Sequence, residues 1–262
     1  MDIISLLLLG AVAGILAGLL GIGGGVVIVP ILFSLLGANA EIPATHLMHI
    51  ALGTSLATIV ITSLSSIRAH HGRKAVQWSL VWKLTPGLVM GVLVGAMIAD
   101  VLPGDGLRMF FGVFLLLVSL QLGFEFQVSS QRPTPGWLGM SMAGLIIGKV
   151  SALVGIGGGT LTVPFLLWCN VPVRHAVATS AAGGFPIAVA GTMGFMLTGW
   201  HVTDLPVWSS GYVYWPAFFA IAPVSLLFAP LGAKLAHTLP VARLKKFFAL
   251  YLAVVGINML LV

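Results

Sequence analysis

The sequence predicts an all-α polytopic membrane protein of two inverted-topology repeats, each a glycine-broken re-entrant helical hairpin plus three transmembrane helices. Three observations predict it: charge is scarce, apolar runs recur at bilayer length, and one glycine pentapeptide occurs twice in matching surroundings. Only 7% of the 262 residues are charged and 59% are hydrophobic, with a mean hydropathy of +1.12. A soluble domain carries about 25% charged residues, so this chain has too few to cover a water-facing surface. Its solvent is lipid.

The elements follow in order along the chain. Residues 3–20 form an apolar run that stops at Gly-Ile-Gly-Gly-Gly, residues 21–25, and a short apolar piece continues over 26–37. Glycine costs about 1 kcal/mol per residue in a helix, so a cluster of four marks a break. The piece after it spans roughly 17 Å, half a membrane. Apolar runs over 47–67, 84–99 and 107–124 are long enough to cross. The polar stretch 125–136, with Pro133 and Pro135, reads as a cytoplasmic linker. Residues 137–154 then meet the second Gly-Ile-Gly-Gly-Gly, residues 155–159, followed by the short piece 160–168. Crossing runs complete the chain over 176–198, 212–235 and 244–262. The division is therefore a first transmembrane repeat, 1–124, the linker, and a second repeat, 137–262.

The halves correspond beyond the pentapeptides. Gly14, Gly21 and Pro30 match Gly148, Gly155 and Pro164 at one constant spacing. Thr54-Ser55 matches Thr179-Ser180 after a longer connector in the first half. Pro86, Gly95, Pro103 and Leu107 match Pro223, Gly232, Pro240 and Leu244 at another constant spacing, the mark of a tandem duplication. Loop charge sets the orientation. Arg68, Arg73, Lys74 and Lys83 follow the first Thr-Ser helix, whereas 199–211 has no Lys or Arg. One loop later the bias reverses: 100–106 has none, and its counterpart carries Lys234, Arg243, Lys245 and Lys246. Equivalent loops thus lie on opposite faces, and the repeats are inverted. With each broken unit returning to the face it entered from, Arg132 and Arg174 also fall inside. Every Lys and Arg except Arg108 and Lys149 is then cytoplasmic. Asp2, Glu41 and both termini lie outside. The oligomeric state is left open.

Several classes drop out. The formal charge of +6 is scattered over loops rather than gathered in a stripe, so nucleic acid is not a partner. The single cysteine, Cys169, allows no internal disulfide. Met1-Asp2-Ile3 lacks a basic signal region, so the first apolar run is expected to belong to the mature fold. Neither glycine run leads into the Lys-Ser/Thr of a phosphate loop. His46 and His49 have helical spacing but no nearby Cys, Asp or Glu to complete a metal site. No cofactor is expected. No motif pairs a nucleophile with a base, and no acid dyad lies within a membrane segment, so an enzyme is not expected.

What remains points to a small anionic substrate. Non-helical backbone at membrane depth is tolerated where it lines a cavity. Each break leads into a half-helix whose N-terminus offers free N–H groups and partial positive charge. Gly21, Gly23, Gly24 and Gly25, with Gly155, Gly157, Gly158 and Gly159, are therefore candidate anion-binding positions. Glycines also permit tight helix crossing, which is the competing explanation. Thr54, Ser55, Thr179 and Ser180 place hydroxyls in the following helices, for the ligand or for their own helix backbone. Thr160 and Thr162 fall in the first turn of the second half-helix. Lys149 lies within an apolar helix with no obvious carboxylate partner; it either supplies positive potential to the anion path or snorkels to the inner face. Pro30, Pro164, Pro86 and Pro223 are candidate hinges. Asn170 and Arg174 read as surface anchors or an inner gate. Trp200, Trp208, Tyr212, Tyr214 and Trp215 read as an outer aromatic belt.

At these residues a family resemblance emerges. Ala17-Gly-Leu-Leu-Gly-Ile-Gly-Gly-Gly-Val-Val-Ile-Val-Pro30 resembles the first-repeat signature of the TauE/SafE sulfite exporter family. Ser151-Ala-Leu-Val-Gly-Ile-Gly-Gly-Gly-Thr-Leu-Thr-Val-Pro164, with His175-Ala-Val-Ala-Thr-Ser180, resembles the second. The resemblance implies a permease of the bacterial inner membrane that exports sulfite or an organosulfonate. An anion channel on the same scaffold, or a carrier of another small sulfur-containing or organic anion, is the alternative.

Overall fold

The computed structural model describes residues 3–20, 24–38, 42–124, 133–238 and 241–261, with side chains described except at 18–20 and 233–245. Gly21, Gly23, Asp2, Glu41 and Arg132 lie outside the described residues, as do 125–132 of the linker and the side chains of Lys234, Arg243 and Lys245. Ten α-helices run in chain order: α1 (Ile3–Leu20), α2 (Gly25–Gly37), α3 (Leu47–Gly72), α4 (Trp78–Val101), α5 (Gly104–Gly123), α6 (Trp137–Val154), α7 (Gly159–Trp168), α8 (Val173–Thr198), α9 (Trp215–Thr238) and α10 (Val241–Leu261). Each apolar run in the sequence is one of these helices. Among the described residues, six helical stretches are long and apolar enough to cross a bilayer, and the chain is a multi-pass membrane protein.

Both half-helices form as the sequence predicts. α2 has 13 residues and α7 has 10, roughly 20 and 15 Å of rise. The second break is fully described. Gly155 adopts a left-handed conformation, φ +67°, and ends α6. Ile156 N–H bonds back to Ser151 O at 3.1 Å, closing the six-residue turn typical of a glycine helix end. Gly158, φ +76°, reverses the chain again, and its carbonyl accepts the Leu161 and Thr162 N–H groups of α7. An L side chain is strained at both positions. α7 ends the same way on Asn170, φ 61°, with Val171 N–H on Leu166 O. This gives Asn170 a conformational task that neither gating nor anchoring anticipated.

Helix pairing exchanges between the halves. α4 packs along α6, and α1 packs along α9, the same pairing with the halves swapped; α3 meets α8 and α5 meets α10. The seams are built of small residues at four-residue spacing, which lets backbones touch. Gly87, Gly91 and Gly95 on α4 face Gly144, Gly148 and Ala152 on α6. A Cβ at Gly144 would stand 2.6 Å from Leu84 O, and one at Gly10 of α1 would stand 2.8 Å from Ile221 O of α9. Gly148 abuts Leu88 O, and its counterpart Gly14 abuts Ser225 O. At the other seam Gly112 of α5 touches Gly256 O of α10, while the equivalent pair, Ser119 and Ala249, is joined by a 2.7 Å hydrogen bond.

Candidate functional site

The two glycine breaks meet. A Cβ on Gly25, the last glycine of the first break, would run into Gly155 O and stand 3.1 Å from Ile156 Cα in the second. Only glycine allows that approach. α3 and α8 wall the junction: Ser55 of α3 donates to Gly155 O at 2.8 Å, and Gly184 of α8 lies against Gly157 O, where a Cβ would come within 2.7 Å. Ser55 therefore holds the tip in place, with its proton committed to backbone.

Thr54 and Thr179 are clamps between the halves. Thr54 Oγ1 accepts the N–H of Tyr214, which directly precedes α9, at 3.0 Å. Thr179 Oγ1 accepts the N–H of Gln77, which directly precedes α4, at 3.1 Å. Each hydroxyl thus caps a helix start in the opposite half, where backbone N–H groups lack helical partners. The matched Thr-Ser pairs were legible as important; their use as caps was not, because the partner segments are remote in sequence.

A different set of hydroxyls is unpartnered. Ser151, Thr160 and Thr162 are buried, and their side-chain oxygens make no hydrogen bond among the described residues. Ser180, the counterpart of Ser55, is in the same state. A Cβ placed on Gly158 would lie 3.4 Å from Thr162 Oγ1 and 3.7 Å from Ser151 Oγ, so both oxygens border the space that glycine leaves clear. Thr160 stands in the same first turn of α7. Buried hydroxyls are nearly always satisfied, so three around one helix break call for a partner. The first α7 amides with helical partners are those of Leu161 and Thr162, leaving the Gly159 and Thr160 N–H groups at the positive end of α7. Ser151 carried no individual role in the sequence. The signal was available in the repeat alignment, where Ser151, Thr160 and Thr162 stand opposite Ala17, Val26 and Ile28.

Lys149 is half-buried on α6, with its backbone against Gly95 of α4. Two residues along a helix is a turn of roughly 200°, so its face is nearly opposite that of Ser151. The structure does not bring it to the hydroxyls. Pro30, Pro164, Pro86 and Pro223 all lie inside helices, where each removes one N–H and frees the carbonyl four residues earlier. Arg174 donates to Arg73 O at 3.1 Å, tying the start of α8 to the end of α3. Trp200 and Trp208 are 65% and 77% exposed, as a belt requires, but Tyr212 is 3% exposed. Its ring stacks on His49, and its hydroxyl donates to Asp100 at 3.0 Å, which takes it out of the belt.

Comparison with known proteins places this architecture. A family model described as sulfite exporter TauE/SafE matches residues 6–259. A probable membrane transporter protein of Haemophilus influenzae is 39% identical over 258 residues, 97% of each chain. One from Methanocaldococcus jannaschii is 30% identical over 263 residues, covering 98% of this chain and 94% of the relative. The probable membrane transporter protein YunE of Bacillus subtilis is 27% identical over 281 residues, covering 99% and 98%.

Proposed function

Because the chain belongs to the sulfite exporter TauE/SafE family of membrane transporters, we propose that it carries sulfite or an organosulfonate out across the bacterial inner membrane. The observation that carries this reading is the trio of buried, unpartnered hydroxyls at Ser151, Thr160 and Thr162 around Gly158. A hydroxyl donates one proton, and an oxyanion presents several acceptors to one small volume. The amides of Gly159 and Thr160, in the first turn of α7, add donors at its positive end, the geometry that binds anions at helix starts. Gly25 closes the opposite wall from the first half, and Ser180 of α8 offers a further unpartnered hydroxyl from the second. Lys149 acts at longer range, through potential rather than contact.

The carrier works by alternating access between two inverted repeats, 1–124 and 137–262, joined by a cytoplasmic linker over 125–136, with both termini outside. The exchanged helix pairing and the reversed loop charges support that arrangement. Pro30, Pro164, Pro86 and Pro223 supply the bends. Export of a monoanion from a negative-inside cell is favoured by about 2.3 kcal/mol per charge per 100 mV, so no cofactor is needed to drive it.

The test is thermal unfolding of the purified protein with sulfite, sulfate, sulfoacetate, taurine and thiosulfate. Saturable stabilisation is expected with sulfite or a sulfonate, about 2.7 kcal/mol when the anion is at a hundred times its Kd. No stabilisation by any of the five would remove the sulfur-anion assignment.

A further inference from the structure

A polar cavity opens where α3 begins and α4 ends. It holds about 390 Å³, and its lining includes His46, His49, Asp100, Asp105 and Tyr212. His49 is 3% exposed. Its Nε2 lies 2.9 Å from Ala99 O, and a carbonyl can only accept, so Nε2 carries the hydrogen. In the neutral ring Nδ1 is then a bare acceptor, and this buried atom has no donor among the described residues. The transport reading leaves the cavity and this nitrogen without a task.

We propose that His49 is a proton-binding site, taking up a proton on Nδ1 from this cavity so that the carrier responds to pH. The surroundings on each packed element bear on the charged form. Ala99 O belongs to the last turn of α4, the negative end of that helix, and Asp100 follows it with a carboxylate. The Tyr212 ring stacks on the imidazole at 4.8 Å, offering a π face to a cation. Burial and the Asp100 carboxylate push the Tyr212 phenol well above its ordinary range, so it stays a neutral donor and holds Asp100 in position. On α3 itself, the His46 ring lies 6.0 Å away, edge-on. On α5, Asp105 is 3.4 Å from Arg108, so much of its charge is spent locally. Burial opposes the imidazolium; the helix end, Asp100 and the stacked ring favour it.

The repeat supplies an independent argument. The position equivalent to His49 in the second half is Arg174, which also donates to a backbone carbonyl, Arg73 O. One mouth therefore carries a permanent cation at this helix start, and the other carries one only when the proton is bound. Protonation makes the two mouths electrostatically alike toward an anion, and deprotonation makes them differ.

The experiment is an NMR titration of labelled histidine in the full chain, with His49 assigned by its loss in His49→Gln. In parallel, methanesulfonate flux is measured in proteoliposomes at matched inner and outer pH; this sulfonate stays ionised throughout. The His49 resonance is expected to move with pH in a single step. Flux should follow it, by up to about tenfold per pH unit, the limit for one proton. His49→Gln should flatten the profile and His46→Gln should keep it. A His49 resonance that does not move, or a wild-type profile in His49→Gln, would overturn the proposal. Should His49→Gln not fold, Asp100→Asn removes the facing carboxylate from an exposed position and must shift the His49 midpoint to lower pH; an unshifted midpoint counts against the site. The titration decides the proton site even if methanesulfonate is not carried, so this inference and the sulfonate assignment fail separately.

Discussion

Gly158→Ala is expected to abolish anion binding while leaving a folded protein. Gly158 sits at φ +76°, where an L residue costs about 1–2 kcal/mol. The added methyl runs into Ile187 Cδ1, the far end of a side chain that can turn aside. Those costs are survivable in a helical membrane protein. Binding is not, because the methyl stands 3.4 Å from Thr162 Oγ1 and 3.7 Å from Ser151 Oγ, in the space that the anion needs. The check is thermal unfolding with and without sulfite. The single variant should unfold somewhat earlier and show no anion-induced shift. Adding Ile187→Val, which deletes the obstructing methyl, should restore part of the stability and none of the shift. A double variant that binds like the wild type would place the anion elsewhere.

The second large effect lies at the helix seams. Gly91→Val and Gly148→Val are each expected to prevent assembly of α4 with α6. Overpacking costs about 1–3 kcal/mol where side chains can yield. Here the obstructing atoms are backbone carbonyls, Leu145 O for Gly91 and Leu88 O for Gly148, so the cost should exceed that range. The matched glycine on α1 makes the sharper point. Gly14 meets Ser225 O of α9 as Gly148 meets Leu88 O of α4, so Gly14→Val should fail to the same degree. Gly72→Val, whose added Cβ would meet nothing within 4 Å, should behave as wild type. Yield of monodisperse protein from detergent extracts reads all four. A tolerated Gly14→Val beside a lethal Gly148→Val would show that the two seams are not energetic equivalents.

The sequence carried the fold at the level of elements, for a physical reason. Lipid forces backbone bonds to close within each segment, so hydropathy and glycine breaks locate helices with little interference from tertiary context. All ten apolar runs reappear as helices, and the half-length of α2 and α7 follows from the position of the breaks. The site was legible in part. That the breaks come together was inferable from the duplication, and Gly25 against Gly155 places them in contact. The roles of individual hydroxyls were not inferable. Ser55, Thr54 and Thr179 look alike on a helix face, yet all three are engaged with backbone from distant segments. Ser151 and Thr162 differ from them in having no partner among the described residues, which no local pattern encodes. Tyr212 misled for the same reason: aromatic residues beside a charge-poor loop suggest a belt, and its burial comes from His49, Asp100 and Phe195, remote in the chain.

Counterflow in proteoliposomes tests the central claim most directly. Vesicles holding unlabelled sulfite are diluted into a trace of labelled sulfite, and label uptake is followed with time. A carrier with one anion site at the glycine junction predicts transient, saturable accumulation of label above equilibrium, absent with Gly158→Ala. Uptake that rises in proportion to concentration without overshoot, or an overshoot unchanged in Gly158→Ala, would contradict it.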